Sequence, residues 1–233
     1  MDIIKGRLQA TEAEIGTYEP LSEDNIRVPG QRDPDRTKRA ILEAAMNEFV
    51  CKGFAGASVN EIAARANVNK RMLYHYFGKK DELYIAVIEK IYASLRAAQA
   101  QLDLTSLAPV AAIERMILFT WDYYIKHPEL LSIMSSENMQ NARYVTRSNQ
   151  IRNFNAPLMS NLQEVLNRGV AEGTFRDDVD AMQLYLSIAG LSSFYVVTRM
   201  SLSAIFGRDL ASDDALRVRS EHVVDVIQRY LRP

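Results

Sequence analysis

Cysteine is almost absent from this chain. Its 233 residues hold a single one, Cys51, so no intrachain disulfide can form, and a reducing, cytoplasmic setting is expected. Histidine is nearly as scarce: the three, His75, His127 and His222, stand far apart and form no set with zinc-ligand spacing. A Gly-rich phosphate loop and a Gly-x-Ser-x-Gly elbow are both missing, and Glu137 beside Asn138 is an isolated acid. No catalytic residue, metal or cofactor is therefore expected. The opening Met-Asp-Ile-Ile-Lys-Gly lacks a basic region followed by an apolar run, so no secretory signal is expected. The most apolar stretch, Leu184 to Val197, is interrupted by Ser187, Gly190, Ser192 and Ser193 and reads as too short to span a bilayer. No membrane partner is expected. Sustained strand alternation between turn signals is also missing.

What is present suits a packed helical protein. Hydrophobic residues make up 48% of the chain and charged residues 24%, ample for a core. The net charge of −1 does not announce a nucleic-acid binder, but its distribution is uneven. Residues 1–34 carry four basic and seven acidic side chains, a balance of −3, whereas residues 35–90 carry ten basic and seven acidic, a balance of +3. Asn69 to Lys80 holds Lys70, Arg71, Lys79 and Lys80 without one acid. A local basic patch on a near-neutral protein is the footprint of one DNA-reading face.

Residues 1–33 are polar, acidic and punctuated by Gly16, Pro20, Pro29 and Gly30, which reads as a flexible extension with a short helix near Ile3 to Ile15. A DNA-touching arm using Arg27 and Arg32 is the alternative, and the acidic balance argues against it. Regular structure is expected from Asp33-Pro34, an N-cap followed by a proline tolerated in the first turn. Ile41, Ala45 and Phe49 share a face, and Gly53 is the expected stop. Ser58 with Glu61 reads as a capping box opening a second helix, whose apolar face is Ile62, Ala63 and Ala66. Asn67-Val68 turns the chain, Asn69 caps a third helix to about Phe77, and Gly78 ends it. Asp81 and Glu82 open a fourth helix carrying Leu83, Val87 and Ile91. Further helices are expected from Pro109 to Lys126, Pro128 to Met139, Arg152 to Glu172, Val179 to Phe206 and Ser212 to Leu231. The expectation is an all-α chain of about nine helices, with an extension (1–33), a three-helix helix-turn-helix domain (34–82) and a helical ligand-binding and dimerisation domain (83–233).

Two short helices joined by a tight turn and packed through Ile62, Ala63, Val68 and Leu73 make the helix-turn-helix geometry. The second projects Lys70, Arg71 and Met72 from its N-terminal end, the end that meets base edges in a major groove. The run SVNEIAARANVNKRMLYHYFGKKDEL resembles the DNA-binding domain of TetR-like (tetracycline-repressor-like) regulators, with Ile62-Ala63, Ala66, Val68, Leu73-Tyr74, Tyr76-Phe77, Lys80 and Leu83 in register. Ser58 stands where the family has Thr, Asn67 where it has Gly, and Asn69 where it has Ser. The resemblance is specific over about 36–90 and looser beyond. It implies base reading by Lys70, Arg71 and Met72, DNA contacts from Val59, Asn60 and the capping Asn69, and phosphate contacts from Tyr74, His75 and Lys80.

The resemblance also implies a homodimer through the last two helices, and palindromic operator DNA and a small-molecule effector as partners. Residues 179–206 carry Leu184, Ile188, Leu191, Tyr195 and Val196, and the final helix offers Leu216, Val223, Val226, Ile227 and Tyr230. Candidates for the effector site are Trp121, Tyr124, Met134, Asn138 and Phe154, with Phe119, Met139 and Met159: aromatics and methionines interleaved with a polar group. Arg143, Arg147 and Arg152 near a helix break could attract an anion. The expected function is a transcriptional repressor released from DNA by its effector; the alternatives are an activator or ligand-independent DNA binder of the same family, and, further off, a helical enzyme.

Overall fold

A computed structural model describes residues 33–233, the side chains of 155 and 156 excepted. The expected extension, its short helix and the arm with Arg27 and Arg32 lie outside the described residues. Among these there are nine α-helices and no strand: α1 (Pro34–Gly56), α2 (Val59–Arg65), α3 (Lys70–Phe77), α4 (Lys80–Ala100), α5 (Pro109–Lys126), α6 (Pro128–Met139), α7 (Asn149–Ala171), α8 (Ala181–Phe206) and α9 (Asp213–Leu231), with a short 3-10 turn at Val145–Arg147.

Local signals set most of the boundaries. Pro109 and Pro128 occupy the first turns of α5 and α6, where a missing N–H costs nothing. The Asp180 and Ser212 side chains accept from the backbone N–H groups of Gln183 and Ala215 and so cap α8 and α9. Gly53 adopts φ 64° and ψ 176° inside α1, breaking its regular course as expected, but one more turn follows to Gly56.

Two clusters of buried side chains hold the bundle. The first joins Ile41, Phe49, Ile62 and Leu73 to the buried face of α4 (Leu83, Tyr84, Val87, Ile88, Ile91, Leu95) and continues into Trp121, Tyr124, Leu130 and Ile133. The second gathers Ile113, Met116, Leu162, Val165, Leu184, Ile188, Val223 and Ile227 from α5, α7, α8 and α9. Helix α4 is thus the rod along which the small N-terminal helices and the larger bundle share packing.

The link between α6 and α7 fastens that rod. Glu137, buried on α6, accepts the backbone N–H groups of Tyr144 and Val145, each at 3.0 Å. This presses the buried Tyr144 ring between Phe54 and Tyr84, with centroids 4.6 and 5.0 Å away. Burial raises the Tyr84 hydroxyl to about 12, so it stays neutral in this apolar corner. Arg147 then pairs with Asp81 at 3.2 Å, and Ser148 Oγ donates to Glu89 at 2.6 Å. Both carboxylates sit on α4.

Helix α8 corrects one expectation. It runs unbroken through Ser187, Gly190, Ser192 and Ser193 for 26 residues. At about 1.5 Å per residue it exceeds a ~30 Å bilayer core, and its mean hydropathy of 1.3 over the best window also meets the composition of a spanning helix. The serines do not break it because their hydroxyls turn back onto the helix: Ser187 donates to the Gln183 carbonyl at 2.9 Å and Ser192 to that of Ile188 at 2.8 Å.

Candidate nucleic-acid interface

The geometry of α2 and α3 is built around one left-handed residue. Asn67 takes φ 52°, which asparagine tolerates better than most side chains, and reverses the chain in a tight turn. The turn is closed by the N–H of Val68 donating to the Ala63 carbonyl at 3.0 Å. Ile62, Ala63 and Leu73 are buried beneath it. Asn69 Oδ1 accepts the Met72 N–H at 2.8 Å, the N-cap expected of it.

The start of α2 is held differently from expectation. Ser58 occupies the N-cap but its side chain makes no capping hydrogen bond. Instead its backbone N–H donates to Glu48 Oε1 at 3.2 Å, reaching across from α1. Glu48 is 1% exposed, pairs with Lys52 at 2.8 Å, and has Arg65 of α2 at 3.9 Å. Glu61, the expected reciprocal partner of Ser58, bonds Lys52. The capping box is therefore replaced by one buried carboxylate that caps α2 from another helix. The Lys52 hydrogen bond, helped by the Ser58 N–H, holds the Glu48 carboxyl below its ordinary value of 4.5 despite burial.

A carboxyl whose folded value is depressed stabilises the fold above its unfolded value and loses that contribution as pH falls. Glu48→Gln should cost about 1–3 kcal/mol at pH 7, and the gap from wild type should shrink as pH drops below 4.5. Urea unfolding at pH 7 and pH 4 measures it, and a constant gap would show that the charge on Glu48 is not what matters.

On the outer surface, Asn60, Asn69, Lys70, Arg71 and His75 are exposed, Tyr74 is 42% exposed, and Val59 and Met72 are half-buried. Lys70 Nζ stands 5.8 Å from the Tyr74 ring centroid, so an ammonium and a phenol share one patch at the head of α3. No acidic residue lies in the first turn of α3. A helix end with free amides, two cations and no acid is built to meet an anionic surface. Lys80 is placed differently: it is half-buried, its Nζ lies 4.8 Å from the Phe54 ring centroid, and it points 3.5 Å from the Ala55 carbonyl. It stands at the corner where α1 meets α4.

The effector-site candidates separate into two groups. Trp121 and Tyr124 are buried on α5, Trp121 with its ring 5.6 Å from Tyr195, and Met134 and Phe154 are half-buried. Asn138 is exposed, its amide donating to the Met134 carbonyl of its own helix at 2.8 Å, and Met139 is 87% exposed. Neither can line an interior site; they fall on the outer end of α6. Arg147 is paired with Asp81, and Arg143 lies over the Tyr144 ring at 5.5 Å. A half-buried cation that composition did not single out, Arg96 on α4, donates to the Tyr185 hydroxyl of α8 at 3.4 Å.

Comparison with known proteins agrees with this geometry. Residues 41–87 match the family described as bacterial regulatory proteins of the tetR family, and residues 109–227 match the tetracyclin repressor-like C-terminal domain. The chain is 37% identical over 198 residues to the HTH-type transcriptional repressor NicS of Pseudomonas putida, covering 85% of this chain and 93% of that protein. It is 33% identical over 207 residues to the repressor SCO4008 of Streptomyces coelicolor, covering 83% and 98%. Among solved structures, the ketosteroid transcriptional regulator KstR2 of Mycobacterium tuberculosis superimposes with a TM-score of 0.63 at 21% identity, covering 89% of this chain and 100% of that one. FadR of Bacillus subtilis, solved with stearoyl-CoA, gives 0.65 at 17%, covering 84% and 100%. With both family descriptions matched and relatives above 30% identity over most of its length, the chain belongs to the TetR family of bacterial transcriptional regulators.

Proposed function

We propose that this protein is a cytoplasmic, homodimeric repressor that binds a palindromic operator and is released by a small-molecule effector, with no enzymatic role. The observation that carries the reading is the head of α3, where Lys70 and Arg71 stand exposed on a helix whose Leu73 is fully buried. Cations on a rigid, anchored helix can enter a groove in one fixed orientation. In this reading Lys70, Arg71 and Met72 meet base edges, with Val59, Asn60 and Asn69 beside them, and Tyr74 and His75 meet phosphates. Lys80, already drawn over Phe54, is the weakest member of the set. Residues 34–82 form the DNA-binding part, and 83–233 the effector-binding and dimerisation part.

Dimerisation rests on surface that a lone subunit leaves uncovered. Helix α8 exposes Met182 (47%), Leu186 (52%), Phe194 (61%), Val197 (56%) and Met200 (68%), and α9 exposes Val218 (50%). Gly190 lies on this face with open space where a Cβ would stand, which lets a second helix approach closely. The opposite face, with Leu184, Ile188, Val196, Val223 and Ile227, is buried within the subunit and not available to a partner. Only part of the expected dimer face therefore lies outward. A second copy, rather than a bilayer, covers the stripe, since two reading heads are needed for two half-sites.

Repression and release are supported by the relatives named as repressors and by FadR, solved with stearoyl-CoA. Selection of binding sites from random DNA by the full chain tests the reading. It should return an inverted repeat with half-sites about one helical turn, roughly 34–36 Å, apart. An effector then found by thermal shift should weaken operator binding by a factor equal to the one by which operator weakens its own binding. Recovery of no consensus would reject the reading.

A further inference from the structure

One exposed cation from outside α2 and α3 is held against the reading helix. Lys38, in the second turn of α1, has its Nζ 5.9 Å from the ring centroid of Tyr76 on α3. Tyr76 is half-buried and meets the exposed His75 edge-on, with ring centroids 5.3 Å apart. Lys38 precedes residues 41–87 and so lies outside the stretch matched to the family's DNA-binding region. No carboxylate pairs with it among the described residues. A ring face attracts an ammonium without satisfying its three N–H donors as oxygens would. Lys80 is held quite differently. It is half-buried, stands closer to its ring, 4.8 Å from the Phe54 centroid, and lies 3.5 Å from the Ala55 carbonyl. Of these two cations, Lys38 is the one left facing solvent.

We propose that Lys38 meets an operator phosphate on the Tyr76 side of α3. The inference rests on the reading as an operator-binding regulator and adds to it a contact supplied by α1. Tyr74 and Tyr76 stand two residues apart, about 200° around the helix, so they leave α3 on opposite sides. Each has a lysine beside it: Lys70 Nζ lies 5.8 Å from the Tyr74 centroid and Lys38 Nζ 5.9 Å from that of Tyr76. A helix lying in the major groove runs between two phosphate strands. Tyr74 is read as meeting one strand, which leaves the other to Lys38. No acid lies between Asn69 and Lys80, so α3 brings Lys38 no counter-charge of its own, and a polyanion is the partner that suits the patch. Lysine fits the task, because its point charge can meet a phosphate whatever base is attached. The ring belongs to α3 and the cation to α1, so one phosphate contact would fix both helices on the duplex together.

The test is a salt titration of the full chain, followed by fluorescence anisotropy on the selected operator and on a scrambled duplex. Lys38→Met keeps an apolar stem beside Tyr76 and removes the charge. It should weaken binding to both duplexes alike, by about tenfold or more near 0.1 M salt, and make the log–log slope shallower by roughly one per subunit. The sequence selected from random DNA should not change, because a phosphate carries no base identity. The variant should melt where the wild type does, since the side chain is exposed. Lys38→Arg should restore both slope and affinity. The change in slope should also exceed that produced by Lys80→Met. An unchanged slope, a change no larger than that of Lys80→Met, an altered consensus or a lowered melting temperature would overturn the proposal. If the wild type binds its operator in those cases, the regulator reading stands without Lys38; a wild type that binds neither duplex would sink the regulator reading itself.

Discussion

Phe194→Glu combined with Val197→Glu is expected to split the dimer and, with it, operator binding. Both side chains lie on the outward face of α8, 61% and 56% exposed in the subunit. Their replacement therefore leaves the subunit's own core in place, whereas two unpaired carboxylates buried at a subunit interface are strongly unfavourable. A monomer engages one half-site, and the specific complex should fall toward non-specific affinity, a loss of about 10³-fold or more. Sedimentation and far-UV circular dichroism should show a folded monomer where the wild type is a dimer. By contrast, Val223→Glu places a charge at a site 1% exposed within the subunit and should unfold it. A double variant that stays dimeric would move the interface off α8.

The second large effect is expected at the head of α3. Arg71→Ala, and separately Lys70→Ala, should relax the base preference at one symmetric pair of operator positions. A good bidentate contact to guanine gives about 1–3 kcal/mol of discrimination, and a palindrome counts it twice. Tyr74→Phe should instead weaken all sequences alike, because a phosphate contact carries no sequence information. Site selection with each variant separates the two behaviours. If both alanine variants return the wild-type consensus, base reading lies with Asn60 or Met72.

These effects divide along the same line as what the amino-acid sequence made legible. The recognition turn could be read directly, because Asn67, Asn69 and Gly78 each act within a few residues of themselves. The capping of α2 could not. Its cap comes from Glu48, ten residues earlier on another helix. A hint existed, since Glu48 stands among Ile41, Ala44, Ala45 and Phe49 on the apolar face of α1, where an acid needs a partner. Helix α8 was hard for the opposite reason. It is apolar nearly all round, so its periodicity does not separate the side packed on α5 and α9 from the side left exposed. Arg96 was hidden among ordinary charged residues of α4, because nothing local marks a cation that a side chain of a later helix will meet. Asn138 was misplaced because one residue of helical rotation decides between an interior and an outward side chain.

Signal transfer in this protein would run along α4. Its N-terminal half is gripped by the α6–α7 link through Arg147–Asp81 and Ser148–Glu89, and near its C-terminal end Arg96 donates to Tyr185 of α8. A ligand can use that connection only by preferring one arrangement of the helices over another.

The most direct measurement of the central claim is a fluorescence-anisotropy titration of the full chain against the selected inverted repeat and a scrambled duplex of equal length, repeated over a range of salt. Two chains per specific duplex are expected, with affinity at least ~10³-fold above the scrambled one and falling steeply as salt rises. Equal affinity for the two duplexes, or one chain per duplex with full specificity, would contradict it.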